Sequence, residues 1–188
     1  VAKADFSSKG DYRQKLMRKE RVPTKEARER AEGWVLDDEV LRFFVDASEL
    51  KEQGIFGLGV CIVGQGETRV ESKKHYNSAM KKQNTYAELV AVHYALELLP
   101  HILRGKIALP ENIIVYSDWN EVGRLKETSE ITKNKMTNEL AKQINEKKES
   151  FIERRPGIGL EVSYMSKDLK KWNPYYKAAH NAARNIFH

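Results

Sequence analysis

Three carboxylates occupy positions that ordinary surface charge does not explain. Asp46 closes the apolar run Val40-Leu41-Arg42-Phe43-Phe44-Val45, and Asp118 closes a second, Ile113-Ile114-Val115-Tyr116-Ser117. One aspartate at a strand end is commonly a turn residue, but ligand sites of open α/β sheets lie beyond the carboxyl ends of their strands, so two together say more. Glu88 is the sharper case. Helical spacing puts Ala91, Val92, Ala95 and Leu99 on its face and leaves His93 and Glu97 on the solvated side. An ionised group facing a core costs on the order of several kcal/mol unless it is paired with a cation, protonated or coordinated to metal. Arg42, on the strand face of Asp46, is the arginine that spacing offers as a partner. Three oxygen-donor groups without a cysteine pair or a histidine cluster describe a hard site suited to Mg²⁺ or Mn²⁺, which binds phosphates. Two such ions about 4 Å apart can activate water and stabilise the leaving oxygen in phosphodiester hydrolysis.

The elements that carry these groups follow from hydropathy. Residues 40–46 and 55–64 read as strands joined by a short polar turn, and 68–72 alternates as a third, giving an antiparallel meander. Asn84-Thr85 stands as a cap candidate before an apolar helix over 86–99 that should stop ahead of Pro100. Residues 113–117 form a strand buried on both faces, 130–153 a long charged helix, 157–164 a fifth strand and 175–187 a small-residue terminal helix. The order β-β-β-α-β-α-β-α predicts an α/β fold with one five-stranded mixed sheet: the meander, then two parallel strands added through right-handed crossovers, flanked by helices.

In this order the motifs resemble ribonuclease H of type 1: Val45-Asp46-Ala47-Ser48 with Gly57-Leu58-Gly59 on the hairpin, Asn84-Thr85-Tyr86-Ala87-Glu88-Leu89-Val90-Ala91 on the first helix of the sheet domain, and Val115-Tyr116-Ser117-Asp118. The resemblance covers residues 39–188. It implies a metal-dependent endoribonuclease that hydrolyses the RNA strand of RNA–DNA hybrids with two Mg²⁺ or Mn²⁺ ions, Asp46 bridging both and Glu88 and Asp118 completing the leaving-group side. It also implies that Asn84 and Thr85 contact the backbone and the sugar hydroxyls, by which a protein tells RNA from DNA. Ser48 near Asp46, and the basic and aromatic groups Lys167, Trp172 and Lys177, are the further expected substrate contacts; Trp172 and Tyr176 at helical spacing would serve equally to anchor the last helix.

The chain departs from the family pattern at its end. His180 in Ala179-His180-Asn181 stands where the family carries a fourth carboxylate, and Asp168 stands near the usual loop histidine. Imidazole suits Mn²⁺ better than Mg²⁺, so His180 as a ligand predicts a preference for Mn²⁺. The competing roles for His180 are acid–base help, a phosphate contact or a place on the helix surface. The same substitution is the best argument for a different class of protein, a nucleic-acid-binding or assembly module that has lost efficient chemistry. Other exonuclease-like members of the fold carry a second acid two residues after the first, where this chain has Ser48.

Residues 1–38 form a charged, helix-favouring extension with a break at Val22-Pro23-Thr24, after which Thr24 can cap a helix. Its apolar residues are too few for a core of its own, so it should pack on the main domain or on a ligand. Arg13, Lys15, Arg18, Lys19 and Arg21 are candidates for nucleic-acid or protein contact. With 33 basic and 27 acidic side chains the net charge of +6 suits a polyanionic partner. No apolar run reaches the roughly 18 residues of a membrane span, no secretory signal opens the chain, and the single Cys61 makes no intrachain disulfide. A monomer in the reducing cytoplasm is the expectation.

Overall fold

The computed structural model describes residues 22–188; the five basic side chains proposed above for nucleic-acid contact lie outside the described residues. Helix α1 (Lys25–Leu36) leads into strands β1 (Val40–Glu49), β2 (Ile55–Gly64) and β3 (Glu67–Tyr76). Helix α2 (Asn84–Arg104), β4 (Asn112–Ser117), α3 (Lys135–Arg154) and β5 (Gly159–Tyr164) follow, then a single turn α4 (Lys167–Lys170) and the terminal helix α5 (Pro174–Asn185). The sheet order is β3-β2-β1-β4-β5. The meander pairs antiparallel, while β1 with β4 and β4 with β5 pair parallel, the mixed sheet expected from the sequence.

Several boundaries differ from expectation: β3 runs over Glu67–Tyr76 rather than 68–72, α3 begins at Lys135 rather than at 130, and α5 covers Pro174–Asn185 rather than 175–187. Strand β1 runs on to Glu49, because Ala47, Ser48 and Glu49 keep pairing with Leu58, Gly57 and Phe56; Asp46 is therefore inside the strand, opposite Gly59. Helix α2 continues through Pro100. Proline removes one backbone bond there, but the extra turn buries Ile102 and Leu103 beside Leu99, and that apolar burial offsets the loss. Gln83, rather than Asn84 or Thr85, is the cap residue of α2, with no side-chain bond to the helix.

Strand alternation sends Phe43, Val45, Leu58 and Val60 to one face, where α2 and α3 cover a continuous core with Leu89, Val92, Ile113, Val115 and Ile144. The opposite face holds a smaller cluster of Phe44, Val63 and Met165, with Trp34, Tyr116 and Tyr175 against it. Here the strand residues facing α5 include Gly57 and Gly59. A Cβ on either would collide with the carbonyl oxygen of Ala183 or Ala179, so glycine on the strand and alanine on the helix let the two backbones meet. Helix α1, capped by Thr24, docks on this face: Trp34 packs 5.3 Å from Phe44, and Tyr175 donates to the Ala31 carbonyl at 2.6 Å. Among the described residues no helix is long and apolar enough to cross a membrane.

Candidate active site

The close approach of α5 sets the site. Asp46, paired with Gly59, points to the face that α5 covers, and His180 follows Ala179 on that helix; His180 Nδ1 lies 2.8 Å from Asp46 Oδ2. A carboxylate only accepts, so the ring hydrogen on Nδ1 makes this bond, and Nε2 is left to accept from Arg184 at 3.4 Å. Both ring nitrogens are thus engaged, and His180 stands as the group that orients Asp46. Helix α5 is started by the buried Asn173, whose side chain accepts from the backbone of Tyr175 and Tyr176, with Pro174 in the first turn.

Asp118 follows the end of β4. Ser117, fully buried, accepts from the Trp119 N–H and fixes the turn. Lys170 donates to Asp118 Oδ2 at 2.7 Å, and its ammonium also lies 4.6 Å from the centre of the Tyr176 ring. The Tyr176 hydroxyl stands between the two aspartates, 3.3 Å from Asp46 Oδ1 and 3.4 Å from Asp118 Oδ2. Arg42, offered by spacing as the partner of Asp46, is instead 2.8 Å from Asp37, which also takes the backbone N–H groups of Glu39 and Val40. Register explains it: Arg42 lies four residues back along the same face, a full 13 Å or so of strand from Asp46.

Glu88 reaches the same region from α2. Its Oε2 is shut off from solvent and has no hydrogen-bond partner. Burial, together with the charges of Asp46 and Asp118, pushes its carboxyl up to about 8, with Lys170 pulling the other way. Burial also raises the Asp46 carboxyl, against the hydrogen bond and charge of His180, with Asp118 adding to the rise. For Lys170, burial works to lower the pKa, but the bonds to Asp118 and Tyr176 outweigh it and hold the ammonium charged.

Among the described residues no three His, Cys, Asp or Glu side chains gather closely enough to hold one ion, so the expected ligand set of Asp46, Glu88, Asp118 and His180 is not a preformed cage. Asp46 is satisfied by His180 and Tyr176, and Asp118 by Lys170. The donor chemistry nonetheless fits a hard divalent cation: three carboxylates within electrostatic reach, one with an orphaned buried oxygen. Lys170 and Tyr176 are two members that the sequence did not place at the carboxylates; Tyr176 stood out only as an anchor of the last helix.

The remaining expected contacts lie on or beside the elements that carry this centre. Ser48 is half-buried two residues beyond Asp46 on the same strand face, and Asn84 is exposed in the first turn of α2 with Thr85 half-buried beside it. Lys167 and Lys177 are exposed, Trp172 is half-buried, and Asp168 is exposed in α4. His93, expected on the solvated side of α2, is instead half-buried, as is His75, which shares a 2.8 Å hydrogen bond with Tyr86; burial lowers the pKa of both rings.

A five-stranded sheet of this order, with acids at β1, β4 and the first helix behind the meander, defines a ribonuclease H-like fold. No protein-family model matches the chain, and no curated protein matches it by sequence. Solved structures do. LC11-RNase H1, a protein isolated from compost by a metagenomic approach, in complex with an RNA/DNA hybrid, superposes with a TM-score of 0.54 at 19% identity over 79% of this chain and 99% of that one. RNase H1 from the halophilic archaeon Halobacterium salinarum gives a TM-score of 0.52 at 14% identity, covering 78% and 98%. At these identities the likeness is one of fold.

Proposed function

We propose that this protein is a divalent-metal-dependent endoribonuclease that cuts the RNA strand of RNA–DNA hybrids. The observation that carries the reading is the unpartnered, buried Oε2 of Glu88 beside Asp46 and Asp118, within the fold of ribonuclease H. Such a carboxylate is a liability to a fold that uses it for nothing. Asp46, Glu88 and Asp118 would hold the ions. Bound Mg²⁺ or Mn²⁺ supplies positive charge at the scissile phosphate and lowers the pKa of bound water.

The chain's own groups do the rest. His180 and Tyr176 fix the two oxygens of Asp46, and Lys170 holds Asp118 in an ion pair that a metal ion at that carboxylate would compete with. Asn84, Thr85 and Ser48 take the sugar and backbone of the RNA strand, while Lys167, Trp172 and Lys177 take phosphates and a base or sugar face. Hydrolysis adds water to phosphorus and breaks the bond to the 3′ oxygen. The products carry a 5′-phosphate and a 3′-hydroxyl.

The Lys170–Asp118 ion pair favours one second reading, a binding module whose carboxylates are neutralised from within. A labelled RNA–DNA hybrid, incubated in Mg²⁺ and separately in Mn²⁺ beside RNA duplex, DNA duplex and single strands, decides between them. Hybrid-specific cutting that falls at least about a thousandfold in Asp46→Asn is expected. Hybrid that is bound but uncut in either metal would establish the binding module.

A further inference from the structure

A groove of about 490 Å³ lies between the start of α1 and the start of α5, within the roughly 300–1,000 Å³ of ligand pockets. Pro23, Ala27 and Arg28 form one wall, and Trp172, Tyr176 and Lys177 form the other. Lys170 and His180 line it as well, and both also touch the site carboxylates, so groove and site are continuous.

The backbone at Trp172 adds an independent observation. This bulky residue has φ +58°, in the left-handed region that glycine favours. It is held there between the α4 turn and the buried cap Asn173, whose Nδ2 donates to the Leu169 carbonyl at 3.2 Å. Strain of this kind gathers where a side chain must be presented in one place, and here it sets an indole at the groove. Apolar and aromatic walls suit the faces of a nucleobase, and the exposed cations Arg28 and Lys177 suit its phosphate. A paired base inside a duplex has both faces already stacked and cannot enter. The wall supplied by α1 belongs to the extension, which the minimal ribonuclease H domain lacks.

We propose that this groove binds one unpaired nucleotide of the strand lying across the carboxylates, so that the preferred substrate is a hybrid with an adjoining single-stranded segment. The proposal rests on the phosphodiesterase reading for the course of the strand, but it is tested through binding. The probes are a fluorescein-labelled RNA–DNA hybrid with blunt ends and the same hybrid with a short single-stranded extension on each strand end in turn. Anisotropy with the full chain, in chelator so that nothing is cut, gives the Kd of each.

At least one extended form should bind about tenfold tighter than the blunt form. That ratio should fall to near unity in Trp172→Ala, by about threefold in Arg28→Ala, whose side chain is exposed and outside the fold's core, and little in Trp172→Phe. Equal Kd values for blunt and extended hybrids, or a preference that survives both alanine variants, would overturn it. Product analysis keeps the two readings apart: normal cutting with no preference for an extension removes the groove alone, whereas a preference lost in Trp172→Ala without any cutting supports the groove and removes the nuclease.

Discussion

The two faces of the sheet are built on opposite rules. Beneath α2 and α3, large side chains such as Phe43, Leu58, Val60, Leu89 and Ile113 fill the space, and the backbones are held apart by what lies between them. Beneath α5, Gly57 and Gly59 meet Ala179 and Ala183, the backbones touch, and Asp46, Tyr176 and His180 sit at the end of that contact. The first arrangement maximises apolar burial. The second fixes polar atoms to within hydrogen-bonding distance, because a helix pressed directly on a strand has little room to slide. Stability and chemistry are therefore largely separated across one sheet, and Glu88 is the exception: a carboxylate of the site on the helix that makes the core.

Truncation should separate the faces most strongly. Phe43→Ala is expected to cost about 3–5 kcal/mol of stability while cutting follows only the folded fraction, measured by denaturant unfolding beside cleavage at low temperature. Gly59→Ala, with its backbone clash, should cost less, about 1–3 kcal/mol, yet lower cleavage of folded protein at least tenfold as α5 is pushed off and His180 leaves Asp46. If Gly59→Ala behaves like Phe43→Ala, the division of labour does not exist.

Glu88→Gln tests the exception through pH. The Glu88 carboxyl titrates near 8 in the folded protein against 4.5 as the reference, so its neutral form stabilises the fold fully below pH 4.5. That contribution is lost as pH rises toward about 8. In chelator the variant should gain on the parent across this window, by on the order of a few kcal/mol at its upper end, and with Mg²⁺ or Mn²⁺ supplied it should lose cleavage. A difference in Tm that is flat from pH 4.5 to 9 would place the carboxylate in contact with solvent or with a cation.

The smallest effect is expected at Lys170. Removing its ammonium from Asp118 in Lys170→Met should tighten Mn²⁺ binding roughly three- to tenfold by calorimetry, since two cations no longer compete for one carboxylate. Weaker Mn²⁺ binding would make Lys170 a support of the metal site.

Periodicity alone located the five strands and the principal helices, and it singled out Asp46, Glu88 and Asp118, because an acid closing an apolar run or facing a helix's apolar stripe is a local contradiction visible in one dimension. Boundaries were less legible where packing outweighed a local rule, as at Pro100, where buried Ile102 and Leu103 carry α2 past a residue that ordinarily stops a helix. Partnerships between side chains far apart in the chain were less legible, although the resemblance had set His180 beside Asp46. Arg42 shares a strand face with Asp46 but bonds Asp37, and Lys170, some fifty residues from Asp118 in the chain, neutralises it. Hydropathy records which face a residue takes, a property of its nearest neighbours along the chain. Which donor meets which carboxylate depends on how closely α5 lies on β2 and where the α4 turn ends, and those distances exist only once the chain has folded.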